Sequence, residues 1–204
     1  MSRLKTLALV PALVLAIPQP VAAEPQPLAQ VGAHLRAVDT MTADFTQTNQ
    51  RGQVRTGTLV LKRPGRIRFE YQGSPRLLLV GDGKQVYYID YSVKQVTRLP
   101  IANSPYSVLL GSNPDLGRLG RVVRDDAQSV MIEARDPKKP QFGTITIAFA
   151  KSAGAPAGLL LQGWTVLDGQ NNRTTVRLSN QHFNVGVADS AFRFEGPRGR
   201  GPKG

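Results

Sequence analysis

The first hydrophobic positions in the chain fall at helical spacing. Leu28, Val31, Leu35 and Val38 recur every three or four residues and line one side of a helix. Pro27 suits its first turn, while His34, Arg36 and Asp39 lie off the stripe. From Met41 the period drops to two. Met41, Ala43, Phe45 and Gln47 share one face of a strand over residues 41–50, and Gly52 marks a turn. A second strand spans residues 54–62 and ends at a Pro64-Gly65 turn. In the third, Ile67, Phe69 and Tyr71 alternate with Arg66, Arg68 and Glu70, so one face is dry and the other wet. After a break at Gly73-Ser74-Pro75, residues 76–81 and 84–91 flank Asp82-Gly83, a strong hairpin signal. Either Leu77 or Leu78, and either Tyr87 or Tyr88, can take the inner face of these two strands. Residues 93–100 form another short strand.

Residues 103–119 interrupt this meander. Ser104-Pro105 opens a short helix with Tyr106, Val108, Leu109 and Leu110 on its apolar side, and "NPDLGRLG" reads as a second helical piece or loop. Strands resume over residues 121–126, 129–136, 142–150, 159–168, 172–181 and 192–195, with a small-residue loop over 151–158. The tally of roughly eleven strands joined by short turns predicts an antiparallel sheet that curls into a barrel or half-barrel.

The chain ends change the picture. "MSRLK" is a short basic region, residues 6–17 are an uncharged apolar run, and "PQPVAA" places Val21 and Ala23 where a signal peptidase reads. Residues 1–23 therefore read as a secretory signal peptide cleaved before Glu24. The run is too short for a membrane span, and Pro11, Pro18 and Pro20 would break a core helix. Cysteine is absent, which excludes disulfides, thiolate chemistry and a lipid-bearing N-terminal Cys, and favours a bacterial periplasm. Residues 24–195 suit one domain, and the "GPRGRGPKG" tail over residues 196–204 is expected to be disordered.

Charge and candidate chemistry narrow the function. The formal net charge is +12, and losing Arg3 and Lys5 with residues 1–23 leaves about +10. The basic residues are spread over many strands, and in "RIRFEY" they form an outer face, so the pattern reads as a solvated surface with at most weak attraction to polyanions. Nucleic acid is not an expected partner of an exported chain. The two histidines, His34 and His182, are far apart in sequence, and no metal-binding, nucleophile or phosphate-loop motif occurs. "GDGK" at residues 81–84 is a hairpin turn, and Asp125, Asp126 and Asp136 read as solvated turn residues. No cofactor or metal is expected, and no enzymatic activity. One residue stands apart. Leu59, Leu61 and Arg63 share a strand face, so Arg63 starts out pointing inward at the rim, where a guanidinium needs acceptors. Parity alone leaves open that it bends into water instead.

The fragments "ADFTQT", "GTLVLKRPGRIRFEY", "LLVGDGKQVYYID" and "TRLPIANSPYSVLLG", in this order and with the leader, resemble the LolA family of periplasmic lipoprotein carriers. The resemblance runs from about Leu28 to Glu195. It implies an unclosed antiparallel β-barrel under a small helical lid built from the first helix and the mid-chain helices. It further implies that Arg63 latches the lid through bonds to lid backbone. The acyl-chain cavity would be lined by Leu35, Phe45, Leu59, Leu61, Ile67, Phe69, Tyr71, Leu109, Leu110, Ile145, Ile147 and Phe149. The implied partners are lipoprotein acyl chains and an inner-membrane lipoprotein-releasing transporter, with the chain itself a monomer. Whether an outer-membrane receptor lipoprotein takes the cargo, or the chain delivers it directly, stays open. The alternative readings are a periplasmic module that binds or senses another lipid in the same half-barrel and, more distantly, an envelope enzyme.

Overall fold

A computed structural model of the chain describes residues 27–73, 76–111 and 113–197. The expected signal peptide, and residues 198–204 of the expected tail, lie outside the described residues. Helix α1 (Pro27–Ala37) leads into β1 (Thr40–Asn49), β2 (Val54–Lys62), β3 (Arg66–Tyr71), β4 (Leu77–Asp82), β5 (Gln85–Asp90) and β6 (Gln95–Pro100). A helical segment follows, with α2 (Tyr106–Leu110) and α3 (Leu116–Leu119). The chain then forms β7 (Gly120–Asp125), β8 (Ser129–Ala134), β9 (Thr144–Lys151), β10 (Leu159–Leu167) and β11 (Arg173–Phe183).

The strands form one eleven-stranded sheet in the order β6-β5-β4-β3-β2-β1-β11-β10-β9-β8-β7, and the two end strands do not pair with each other. Every neighbouring pair is antiparallel. The fold is thus a β-barrel left unclosed. This order explains where the helices lie. The chain builds one wing outward from β1 to β6 and must then reach the far edge at β7. The only segment that makes the journey is residues 101–119, so α2 and α3 cross the open side of the curl.

Register sets the inner face. Across β1 and β2, Met41 faces Leu61, Ala43 faces Leu59 and Phe45 faces Gly57, while β3 sets Phe69 opposite Leu59 and Ile67 opposite Leu61. A β-carbon at Gly57 would lie 2.8 Å from the Phe45 ring and closer still to the Glu70 carbonyl, so only a glycine leaves room there for the ring. Phe45 meets Phe69 and Tyr71 edge to face, with centroids 4.8 and 5.1 Å apart. Inner residues of β8 to β11 join the same core, including Ile132, Ile145, Ile147, Phe149 and Val176.

A second, smaller core covers the outside of one wing. Leu78, Val80 and Ile89 pack beneath Phe192, with Val187 and Phe194 alongside. Residues 192–195 were expected as a strand. Instead Phe192 ends a 3₁₀ turn (Asp189–Phe192), and the residues after it run as irregular chain. The alternation of Phe192 and Phe194 is satisfied by packing both rings onto the sheet rather than by pairing within it. This strap also settles the parity of β4 and β5. Leu77, Leu79 and Val86 belong to the inner core, while Leu78, Val80, Tyr87 and Ile89 face the strap.

The α1 stripe is wider than its spacing suggests. His34, expected off the apolar side, is 1% exposed. The loop between β9 and β10 folds over that flank of the helix, and the His34 Nδ1–H donates to the Pro156 carbonyl at 3.0 Å. Its ring stands edge-on to Phe149 and Phe183, with centroids 5.1 and 5.9 Å away.

Candidate functional site

The inner face of the curl, the end of α1 and the underside of α2 converge at the β2–β3 turn. Arg63 lies one residue past β2 and turns inward beneath both helices. Its Nε donates to the Val38 carbonyl at 2.9 Å, just beyond α1. Its Nη1 donates to the carbonyls of Leu109 and, at 3.2 Å, Gly111 at the end of α2. The backbone of the same turn adds two bonds, from Gly65 N to Leu110 O and from Arg63 N to Asp39 O, both 2.8 Å. Three consecutive carbonyls at the end of α2 are therefore held by one turn. Helix ends leave such carbonyls without partners inside the helix, and a cation is favoured beside them. Gly65 has φ 71°, in the left-handed region, and a β-carbon there would meet Gly83 at 2.7 Å.

Burial lowers the Arg63 pKa to about 10, partly offset by Asp39, so the guanidinium keeps its charge at neutral pH. The same burial, with Arg63 adding repulsion, pushes the His34 imidazole below its usual 6.5. The two helices are secured differently. α1 is pinned near its start by Gln30 Nε2 to the Ala157 carbonyl at 3.1 Å and in its last turn by His34 to Pro156. At its other end Asn184 Nδ2 donates to Ala37 O, and Asn184 Oδ1 accepts from Asp39 N, both 2.9 Å. The five-residue α2 is too short to persist alone and is held by the Arg63 turn and its apolar side chains. α1 thus has side-chain anchors of its own besides the Arg63 turn.

In this closed state the inner face is nearly full. Leu109 and Leu110 of α2 are 0% and 1% exposed, packed into the curl. The remaining cavity measures about 20 Å³ and is bordered by Gln47, Ile67, Phe69, Tyr71, Leu79, Val86, Tyr106, Leu110 and Val176. Ligand pockets usually span ~300–1,000 Å³, so the space left beneath α2 is far below ligand size. Of the residues expected to line the hollow, Ile67, Phe69, Tyr71 and Leu110 border this cavity. Leu35, Phe45, Leu59, Leu61, Leu109, Ile145, Ile147 and Phe149 form the packed core around it. Gln47, Leu79, Val86, Tyr106 and Val176 were not foreseen as lining. For Val176 the signal was present, since it alternates with Arg177 as Phe69 does with Arg68. The Tyr71 hydroxyl donates to Gln47 Oε1 at 2.9 Å, and burial raises its pKa.

Several of the outer basic residues are paired within the fold. Lys62 and Arg66 both meet Asp189 of the strap, at 2.6 and 2.7 Å, and Arg68 pairs with Glu70 at 3.0 Å. Among the described residues, no group of three or more His, Asp or Glu side chains could hold a metal ion, and no helix is long and apolar enough to cross a membrane.

The family described as outer membrane lipoprotein carrier protein LolA matches residues 36–195 of the chain. An outer-membrane lipoprotein carrier protein of Bordetella avium is 31% identical over 98% of this chain and 93% of its own length. Its counterpart in Chromobacterium violaceum is 29% identical over 87% of each chain. Among solved structures, a DUF1329-family protein from Desulfovibrio piger shares the fold at TM-score 0.51 and 12% identity, covering 84% of this chain and 96% of that one.

Proposed function

The chain belongs to the LolA family of outer-membrane lipoprotein carrier proteins, and from that membership we propose that it shields the acyl chains of lipoproteins released from the inner membrane and carries them across the periplasm to the outer membrane. The inner-membrane releasing transporter is the donor in this scheme, the carrier works as a monomer, and its task is transport rather than bond chemistry.

The energetics suit the task. Each methylene left in water costs ~0.8 kcal/mol, so moving several bare acyl chains would cost tens of kcal/mol. The curled sheet offers them an apolar face. In the empty state α2 covers that face with Leu109 and Leu110, so the unloaded carrier does not expose a large greasy patch. On loading, acyl chains replace α2 against the sheet. The bonds from Arg63, roughly 1.5–3 kcal/mol each for a charged donor, set a balance of a few kcal/mol between closed and open states. Such a balance lets cargo leave as well as enter.

The observation that carries the reading is the seat of Arg63 beneath α2, which ties a short apolar helix to the rim of an apolar concavity by bonds that can break as a unit. The test is to purify the full chain from the periplasm of a Gram-negative host and identify what accompanies it by mass spectrometry. Acylated lipoproteins bound in near-equal amount are expected. Recovery of free phospholipid alone, or of no lipid, would overturn the assignment.

A further inference from the structure

Among the described residues, one buried side-chain polar atom of the apolar curl has no partner in hydrogen-bond geometry. The indole Nε1–H of Trp164 is buried without a hydrogen bond, on a residue only 3% exposed. Buried donors are paired in the great majority of cases, so an orphan inside a binding concavity calls for an explanation. Trp164 lies on β10 and stands edge-on to Phe69 of β3, with centroids 6.1 Å apart. It faces the Tyr106 hydroxyl of α2. The indole N–H tempers the rise to about 12 that burial imposes on the Tyr106 pKa, yet the two groups do not reach hydrogen-bond geometry. Tyr106 borders the small cavity, so the group shielding this donor belongs to the helix that is held only by its end and its apolar side.

We propose that Trp164 is an acyl-carbonyl reader: once α2 lifts with Tyr106, its Nε1–H donates to the ester carbonyl of an acyl chain lying against the sheet. This rests on the carrier reading above and adds a polar point of recognition to an otherwise apolar surface. The chemistry favours an ester. A hydrocarbon tail brings no acceptor for the N–H. An amide brings a second N–H that would need an acceptor of its own. An ester brings acceptors only. Its carbonyl would otherwise be buried unpaired, and the same bond satisfies the donor left open in the closed state.

The chain has a single tryptophan, so one indole N–H resonance reports on this atom. The ¹⁵N-labelled protein is titrated with dipalmitoylglycerol and with its dihexadecyl-ether counterpart, which differs by lacking the carbonyls. The proposal predicts a downfield indole shift with the ester only. It also predicts that Trp164→Phe, which keeps an aromatic ring and removes the donor, loses about five-fold in ester affinity while ether affinity holds, the worth of one neutral hydrogen bond. If both lipids bind and neither the resonance nor the Phe variant separates ester from ether, the carbonyl-reading role is wrong and the carrier reading stands. If neither lipid binds the wild-type protein while acylated lipoproteins still accompany it on purification, the carbonyl-reading role is wrong and the carrier reading stands; if no lipoprotein accompanies it either, both fail.

Discussion

Phe69 and Trp164 touch edge to face across the concavity, ring centroids 6.1 Å apart, although their strands lie four positions apart in the sheet. That contact measures the curl: the two wings of one open sheet close far enough for inner side chains to meet. Phe69 also packs on Phe45, so it joins both wings to the centre. Phe69→Ala should cost about 3–5 kcal/mol in urea unfolding, as expected for a large buried aromatic. Leu99→Ala, at a position 44% exposed, should stay within ~0.5 kcal/mol of the parent. Equal small losses at both sites would mean the curl is looser than the Phe69 packing requires.

Arg63→Leu removes the bonds to Val38, Leu109 and Gly111 together. At ~1.5–3 kcal/mol per charge-assisted bond, the amides of residues 106–111 should exchange with deuterium roughly tenfold faster or more. The amides of α1 should change little, because Gln30, His34 and Asn184 still hold it. Parallel acceleration in α1 would show that the two helices open as one unit. Transfer of lipoprotein between membranes should fall in the same variant.

His34 makes the fold sensitive to mild acid. Burial lowers its folded pKa below the 6.5 of the unfolded chain. Between those two values the unfolded state binds more protons, so stability falls as pH drops below about 6.5 and levels off once the folded pKa is passed. Arg36, Asp39 and Arg63 are the charged groups near this end of α1, and the carboxylates with depressed pKa act at lower pH. Urea midpoints at pH 7.5 and pH 5.5 should differ more for the wild type than for His34→Asn. An unchanged difference in the variant would assign the acid sensitivity to other groups.

The strap separates apolar from ionic contributions. Phe192 is 6% exposed over Leu78 and Ile89, and Phe192→Ala should cost about 3–5 kcal/mol. Asp189 is two-thirds exposed although it bridges Lys62 and Arg66, so Asp189→Asn should cost under about 1 kcal/mol. Thermal unfolding of both variants checks the contrast, and the reverse ranking would make the strap an electrostatic clasp.

Legibility in the sequence followed the wetness of each face. β3 was readable because Arg66, Arg68 and Glu70 mark its outer side, while β4 was ambiguous because the strap makes Leu78 and Val80 as buried as Leu77. Arg63 could be aimed inward by parity, yet its acceptors at Val38, Leu109 and Gly111 are set by helix ends that only the fold brings together. His34 was misjudged because its cover, the Pro156 loop, lies 122 residues away. Trp164 escaped notice for a local reason. The register of β10 shifts between Leu161 and Gly163, so the inner face passes from Leu159 and Leu161 to Trp164 and Val166, and simple alternation fails there.

The central claim is that α2 leaves the concavity to make room for lipid while α1 stays. The chain has no cysteine, so spin labels on two introduced ones read a single distance. Labels at Ser107 on α2 and Thr58 on the outside of β2, compared with a pair at Arg36 on α1 and Thr58, should be measured by double electron–electron resonance with and without bound dipalmitoylglycerol. The account predicts a longer, broader Ser107–Thr58 distance on binding and an unchanged Arg36–Thr58 distance. Lipid bound with the Ser107–Thr58 distance unmoved would contradict it.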